Sequence, residues 1–386
     1  MSAEALNRIL GPAARNAALV AAMLAVLLPA SLPAAESPVG FRVIEKRDTT
    51  RAIKGAPEGR PIQIAVWYPA KPAKAAVSSL MRYRDYMALG LSEKSFAPPS
   101  PAAVEQMLGE YRKFLAATGV ESADAEALIA TPMRAIRDAP AAEGSLPLVL
   151  LAPGNAQSAE DMAALAEELA ARGFLVASVP SPTRISGPMQ SEADIPEKAD
   201  EQATDLGFAR RALGAQVREG RIGVAGHSFG ARAALLLAMR DADVAAVVSL
   251  DGGIGAKTGA GLLEKARGFS RERMRAPLLH VYEELDPQMT PDFTLIRSLD
   301  RSDRWLVRAG ALHHIHFTTI GSLVAISPGL FKATSATEET SPAWAALLDA
   351  TESFLGAFVA QPPEGAARWQ PPESRELRVE KLPASR

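Results

Sequence analysis

The sequence predicts an α/β fold built on a doubly wound, mostly parallel sheet. Three observations lead there. From residue 146 onward, short apolar β-branched runs alternate with longer segments of helical spacing. Gly226-His227-Ser228-Phe229-Gly230 matches a G-x-S-x-G turn set between such a run and such a segment. The chemistry-bearing residues then fall on loops after strand C-termini, where folds of this class place their sites.

The elements follow in order. Residues 1–35 read as an export signal: Arg8 and Arg15 lead in, 17–28 is a nearly unbroken apolar run ended by Pro29, and Ala34 and Ala35 offer small residues before Glu36. The run is shorter than the about 20 residues that span a bilayer, so no stable membrane span is expected. The residue three before either alanine, Leu32 or Pro33, is not small, which keeps an uncleaved anchor open. Residues 36–360 form the folded domain. Within it 61–68 alternates as a strand stopped by Pro69. Residues 71–145 break the rhythm: segments 102–117 and 122–137 carry helical spacing, and the insertion is either a cap over a pocket or a helical layer on the sheet.

Residues 146–151 form a buried strand, 158–172 a helix ended by Gly173, and 174–179 a strand broken by Pro180. A helix over 198–218 leads into the strand 221–225 and the Ser228 turn; 231–239 is the next helix. Strands follow at 244–250, 276–282 and 304–308, then a histidine-rich loop and a closing helix over 341–360. Residues 361–386, with Pro362, Pro363, Pro371 and Pro372, read as an extended or disordered tail.

Composition narrows the chemistry. The 386 residues carry a formal net charge of −2 and no basic stripe, so nucleic acid is not an expected partner. The absence of cysteine excludes disulfides, thiol nucleophiles, iron–sulfur clusters and lipidation of an N-terminal cysteine.

Ser228 needs a base, because a serine hydroxyl is a weak nucleophile. Of the five histidines, His227 lies inside the turn and points elsewhere, and His280 sits mid-strand as a packed core residue. That leaves His313, His314 and His316, on the loop after the last strand. The three could instead hold a metal, but no nearby carboxylate completes a ligand set. The acid has two candidates, each coming after a strand between nucleophile and base: Asp251, which ends its strand before Gly252-Gly253, and Asp286, which follows the next strand in an Asp-Pro turn. Strand geometry alone slightly favours Asp286. An oxyanion hole would take backbone N–H groups from Phe229, after the nucleophile, and from Asn155, in the loop 152–155.

Trp67-Tyr68-Pro69, Pro153-Gly154, the 226–230 turn, Leu250-Asp251-Gly252 and His314-x-x-Phe317 come in an order that resembles the α/β-hydrolase branch of platelet-activating factor acetylhydrolases and dienelactone-hydrolase-like proteins. The resemblance covers about residues 60–320 and implies the α/β-hydrolase fold. It implies Asp251 as the acid, 23 residues after Ser228, and His314 rather than His313 as the base. Dienelactone hydrolases themselves would favour the Asp286 position and a cysteine nucleophile, which this chain lacks. A departure is Pro153, where the family often has histidine.

The expected function is therefore an exported, periplasmic or secreted, serine hydrolase. It would cleave a small-molecule or lipid-like carboxylic ester without a cofactor. An exported peptidase or amidase with the same triad is the alternative, and a non-catalytic binding protein of the same fold is a second.

Overall fold

The structure is a computed structural model and describes residues 37–72, 79–361 and 369–385. The export-signal reading of 1–35, and Pro362 and Pro363 of the tail, lie outside them. Residues Ser37–Arg386 form one compact unit.

The sheet is organised by its central parallel strands. Leu146–Ala152 (β5), Leu175–Ser178 (β6), Val217–His227 (β7), Val244–Leu250 (β8), Leu278–Tyr282 (β9) and Arg304–Ala309 (β10) lie in the spatial order β6-β5-β7-β8-β9-β10, every pair parallel. Buried parallel strands read as continuous apolar runs, because both faces are covered. Along β5, Val149 and Leu151 enter one core, while Leu148, Leu150 and Ala152 enter the other. Ala163–Ala171 (α1) and Thr340–Leu355 (α4) cover the first face; Ile195–Leu213 (α2) and Gly230–Arg240 (α3) cover the second. The order reverses at β5, and the loops at that crevice carry the site.

The margins differ from expectation in three places. Val39–Asp48 (β1), unassigned in the sequence, pairs antiparallel with Arg60–Pro69 (β2) over ten residues. Its Val39-x-Phe41-x-Val43 alternation is the signal. The helical reading of 122–137 is corrected: the helix Ser122–Ile129 stops, and Pro132–Arg137 is a strand (β4) parallel to β1. Pro132 disfavours helical backbone at Thr131, and the alternating burial of Met133 and Ala135 has the period of a strand. Leu80–Arg82 (β3) pairs with β4 at that edge.

The reading of 361–386 as an extended or disordered tail is corrected over 369–382, which packs on the domain. Leu377–Leu382 (β11) pairs antiparallel with β10. Trp369 is buried against Trp305, Phe354 and Phe358, which orders the chain leading to that strand. The stretch Thr340–Ala360 is long and apolar enough to cross a membrane by length and composition, yet half of it is buried on the sheet. Between β2 and β5, the helix Pro101–Ala117 packs Leu108 and Leu115 inward, and no described residue of 71–145 lines the cleft at Ser228.

Candidate active site

β7 delivers Ser228 into a turn too tight for side chains on its flanks. A Cβ on Gly226 would lie 2.4 Å from the Gly230 carbonyl carbon, and one on Gly230 would lie 2.0 Å from the Ala152 oxygen. Ser228 itself takes φ +52°, a left-handed conformation that an L-residue adopts at a cost and that marks functional turns. Neighbouring strand ends hold it there: its N–H donates to the Leu250 carbonyl at 3.0 Å, and its carbonyl accepts from the Gly253 N–H at 2.8 Å.

Asp251 directly follows β8 and is also left-handed, at φ +42°. Its N–H donates to the Val281 carbonyl at 2.7 Å, and its Oδ1 accepts from the Glu283 N–H at 3.3 Å. Its Oδ2 lies 2.5 Å from His314 Nδ1, and His314 Nε2 lies 3.0 Å from Ser228 Oγ. The three side chains are thus hydrogen-bonded in series. Burial raises the Asp251 carboxyl above the ordinary value, and the His314 hydrogen bond opposes that shift.

Asp286 makes no such contact: its Oδ1 accepts from the Gln288 N–H at 2.9 Å, capping a short 3₁₀ turn. Glu283, missed in the sequence, folds that turn by accepting from the Asp286 N–H. His313 donates its backbone N–H to His316 Nδ1 at 3.0 Å, and the buried His316 is pushed down to about 4.

The loop after β5 lies against the nucleophile. A Cβ on Gly154 would sit 3.1 Å from Ser228 Cβ, so glycine sets that approach. Gln157, a second residue that sequence reasoning missed, accepts from the Gly154 N–H at 2.5 Å and faces His227 Nδ1 at 2.9 Å. Thr183 donates to Asn155 Oδ1 and accepts from the Ala156 N–H, both at 3.0 Å. The N–H groups of Asn155 and Phe229 have no acceptor among the described residues, and both residues line the cleft with Ser228.

His227 Nε2 lies 3.2 Å from the His314 carbonyl, and the two rings are 4.7 Å apart. Burial pushes its pKa down to about 3, so the ring is neutral and offers one N–H to the two oxygens it faces. The cleft has a volume of about 500 Å³, and Met189, Ile195 and Met289 give it apolar wall.

No protein-family model matches the sequence, and no curated protein matches it. Among solved structures, a ferulic acid esterase from Streptomyces cinnamoneus superposes with a TM-score of 0.61 over 90% of this chain and 98% of that one, at 21% identity. At that identity the likeness speaks for architecture. The mixed sheet, the helices on both faces and this superposition together give the α/β-hydrolase fold.

Proposed function

We propose that this chain is an exported serine hydrolase of carboxylic esters, in the manner of the acetylhydrolase branch. The observation that carries the reading is the unbroken series Asp251–His314–Ser228, opening on a cleft. The esterase named among the structural neighbours agrees with it.

Ser228 Oγ attacks the ester carbonyl carbon while its proton passes to His314 Nε2. The carbonyl π electrons move onto oxygen, where the N–H groups of Asn155 and Phe229 receive the charge. One such donor lowers the barrier by about 3 kcal/mol. Asp251 holds the imidazole by Nδ1–H and stabilises the imidazolium. The tetrahedral intermediate collapses, the C–O bond to the alcohol breaks, and the alkoxide takes the proton from Nε2. Water then attacks the acyl-enzyme, losing its proton to the same nitrogen, and Ser228 leaves with that proton restored. Atoms balance without a cofactor.

The test is purified mature protein on p-nitrophenyl esters of graded chain length, beside Ser228→Ala, with fluorophosphonate labelling of Ser228. Turnover and labelling that both vanish in the variant are expected. A wild type inert to both refutes the assignment. Export is checked by sequencing the N-terminus of the secreted protein, which is expected to begin near Glu36.

A further inference from the structure

Arg232 stands on α3, one turn after the nucleophile and within an otherwise apolar run. Its residue is only 6% exposed, and it lines the cleft together with Ser228 and Phe229. A buried arginine ordinarily finds a carboxylate, because an unpaired charge is costly away from water. Among the described residues this one has no ion pair within 4 Å. Its one hydrogen bond runs from Nη2 to the Thr258 carbonyl at 2.6 Å, leaving Nε and Nη1 without a protein acceptor among those residues. The guanidinium lies over the Phe229 ring at 5.7 Å.

The space it occupies is kept by glycines. A Cβ on Gly253 would fall 2.2 Å from Nη1, and one on Gly259, at φ +68°, would fall 3.1 Å from Nη2. Burial pushes the guanidinium down to about 10, still charged at neutral pH; Glu192 on the exposed rim opposes the shift. The cleft therefore holds one fixed, under-satisfied cation beside the nucleophile.

We propose that Arg232 binds a carboxylate carried by the ester substrate, so that the enzyme prefers esters bearing one remote negative charge. The inference rests on the hydrolase reading above and names the substrate class of that site. A guanidinium fork matches a carboxylate through paired N–H···O bonds. Glu192 and Asp286 also line the cleft, and their charge disfavours a dianionic group such as a phosphate monoester. Met189, Ile195 and Met289 suit the hydrocarbon between the ester and the charge.

The carboxylate can sit on the acyl or on the alcohol side, and paired substrates separate the two. On the acyl side the pair is mono-p-nitrophenyl adipate and p-nitrophenyl hexanoate. On the alcohol side it is 4-acetoxybenzoate and its methyl ester. The readout is the ratio of kcat/KM within each pair, so the amount of active enzyme cancels. The wild type is expected to favour the charged member of one pair at least tenfold. Arg232→Met is expected to remove that preference and Arg232→Lys to restore part of it.

A wild-type ratio near or below one in both pairs overturns the site, as does an unchanged ratio in Arg232→Met. Competition with p-nitrophenyl hexanoate hydrolysis by monomethyl adipate against dimethyl adipate gives a second measurement in the wild type that needs no variant. The singly charged monomethyl adipate is expected to compete at least tenfold more tightly than the uncharged diester, and equal competition counts against the site. Turnover and Ser228 labelling without charge discrimination remove the carboxylate site alone. Absence of turnover and labelling removes the hydrolase reading and this inference with it.

Discussion

Among the described residues two serine–histidine pairs lie on neighbouring strands and the turns that follow them, and only one is built for chemistry. In the first, Ser228 meets His314 through Nε2, and Nδ1 is held by Asp251. In the second, Ser249 of β8 meets His280 of β9 through Nδ1 at 2.8 Å, and Nε2 has no partner among the described residues. The second pair is fully buried, its histidine stacked on Tyr282 and edged by Phe293. A Cβ on Gly255 would fall 2.2 Å from His280 Nε2, so backbone closes the face where an acid would have to stand. Proximity of hydroxyl and imidazole is therefore not enough. The left-handed turn, the choice of ring nitrogen, the carboxylate behind it and an open cleft make the difference.

Substitutions at both pairs sharpen this contrast. The largest effect is expected from Ser228→Ala, which should lower kcat by about 10⁴–10⁶-fold in steady-state ester hydrolysis. Asp251→Asn should lower kcat by about 10⁴-fold, because the amide favours the wrong imidazole tautomer. Comparable activity in Asp251→Asn and wild type would erase the distinction between the pairs.

The second pair should speak through stability and pH. Burial holds His280 down to about 3, and it stays neutral in the folded chain while the unfolded chain protonates below about 6.5. The unfolded state then binds more protons. Stability is full above about pH 6.5 and falls toward pH 3, by up to about 1.4 kcal/mol per pH unit for each such histidine. His227 and His316 add to the same fall. Urea unfolding across that window should show a shallower slope in His280→Phe.

Ser249→Ala should cost about 1–3 kcal/mol by leaving His280 Nδ1 unpaired, with kcat moving little. A collapse of kcat there would make the second pair part of the machinery. The smallest effect is expected from Asp286→Asn, which retains a capping side chain: within about 0.5 kcal/mol in thermal melts, and little change in kcat.

Much of this architecture is legible in the amino-acid sequence. The central parallel strands stand out as continuous apolar runs, and Ser228 by a turn pattern in its strand–helix setting. The margins are harder. β1 alternates only at its start and ends in the charged run 45–48, β4 follows a helix so closely that its residues extend the helical spacing, and β11 lies beyond a proline-rich stretch.

At the site, Asp251 and Asp286 both come soon after strands, and strand geometry alone ranks them in the wrong order for contact with His314. What separates them is burial and the local cap at Gln288, neither visible in a string of residues. Gln157 and Glu283 carry no motif, since each bonds the backbone of its own turn. Arg232 does leave a trace, as the lone charge in the apolar run 231–239.

One feature of the Ser228 turn reaches past its own loop. The pattern G-x-S-x-G fixes three letters and leaves two free, yet here the free letters carry the individuality of the site. His227 spans from Gln157 of the loop after β5 to the carbonyl of His314. Phe229 lies beneath the guanidinium of Arg232. The fixed letters say that a nucleophile stands there; the free ones say how its neighbours are joined and what charge awaits the substrate.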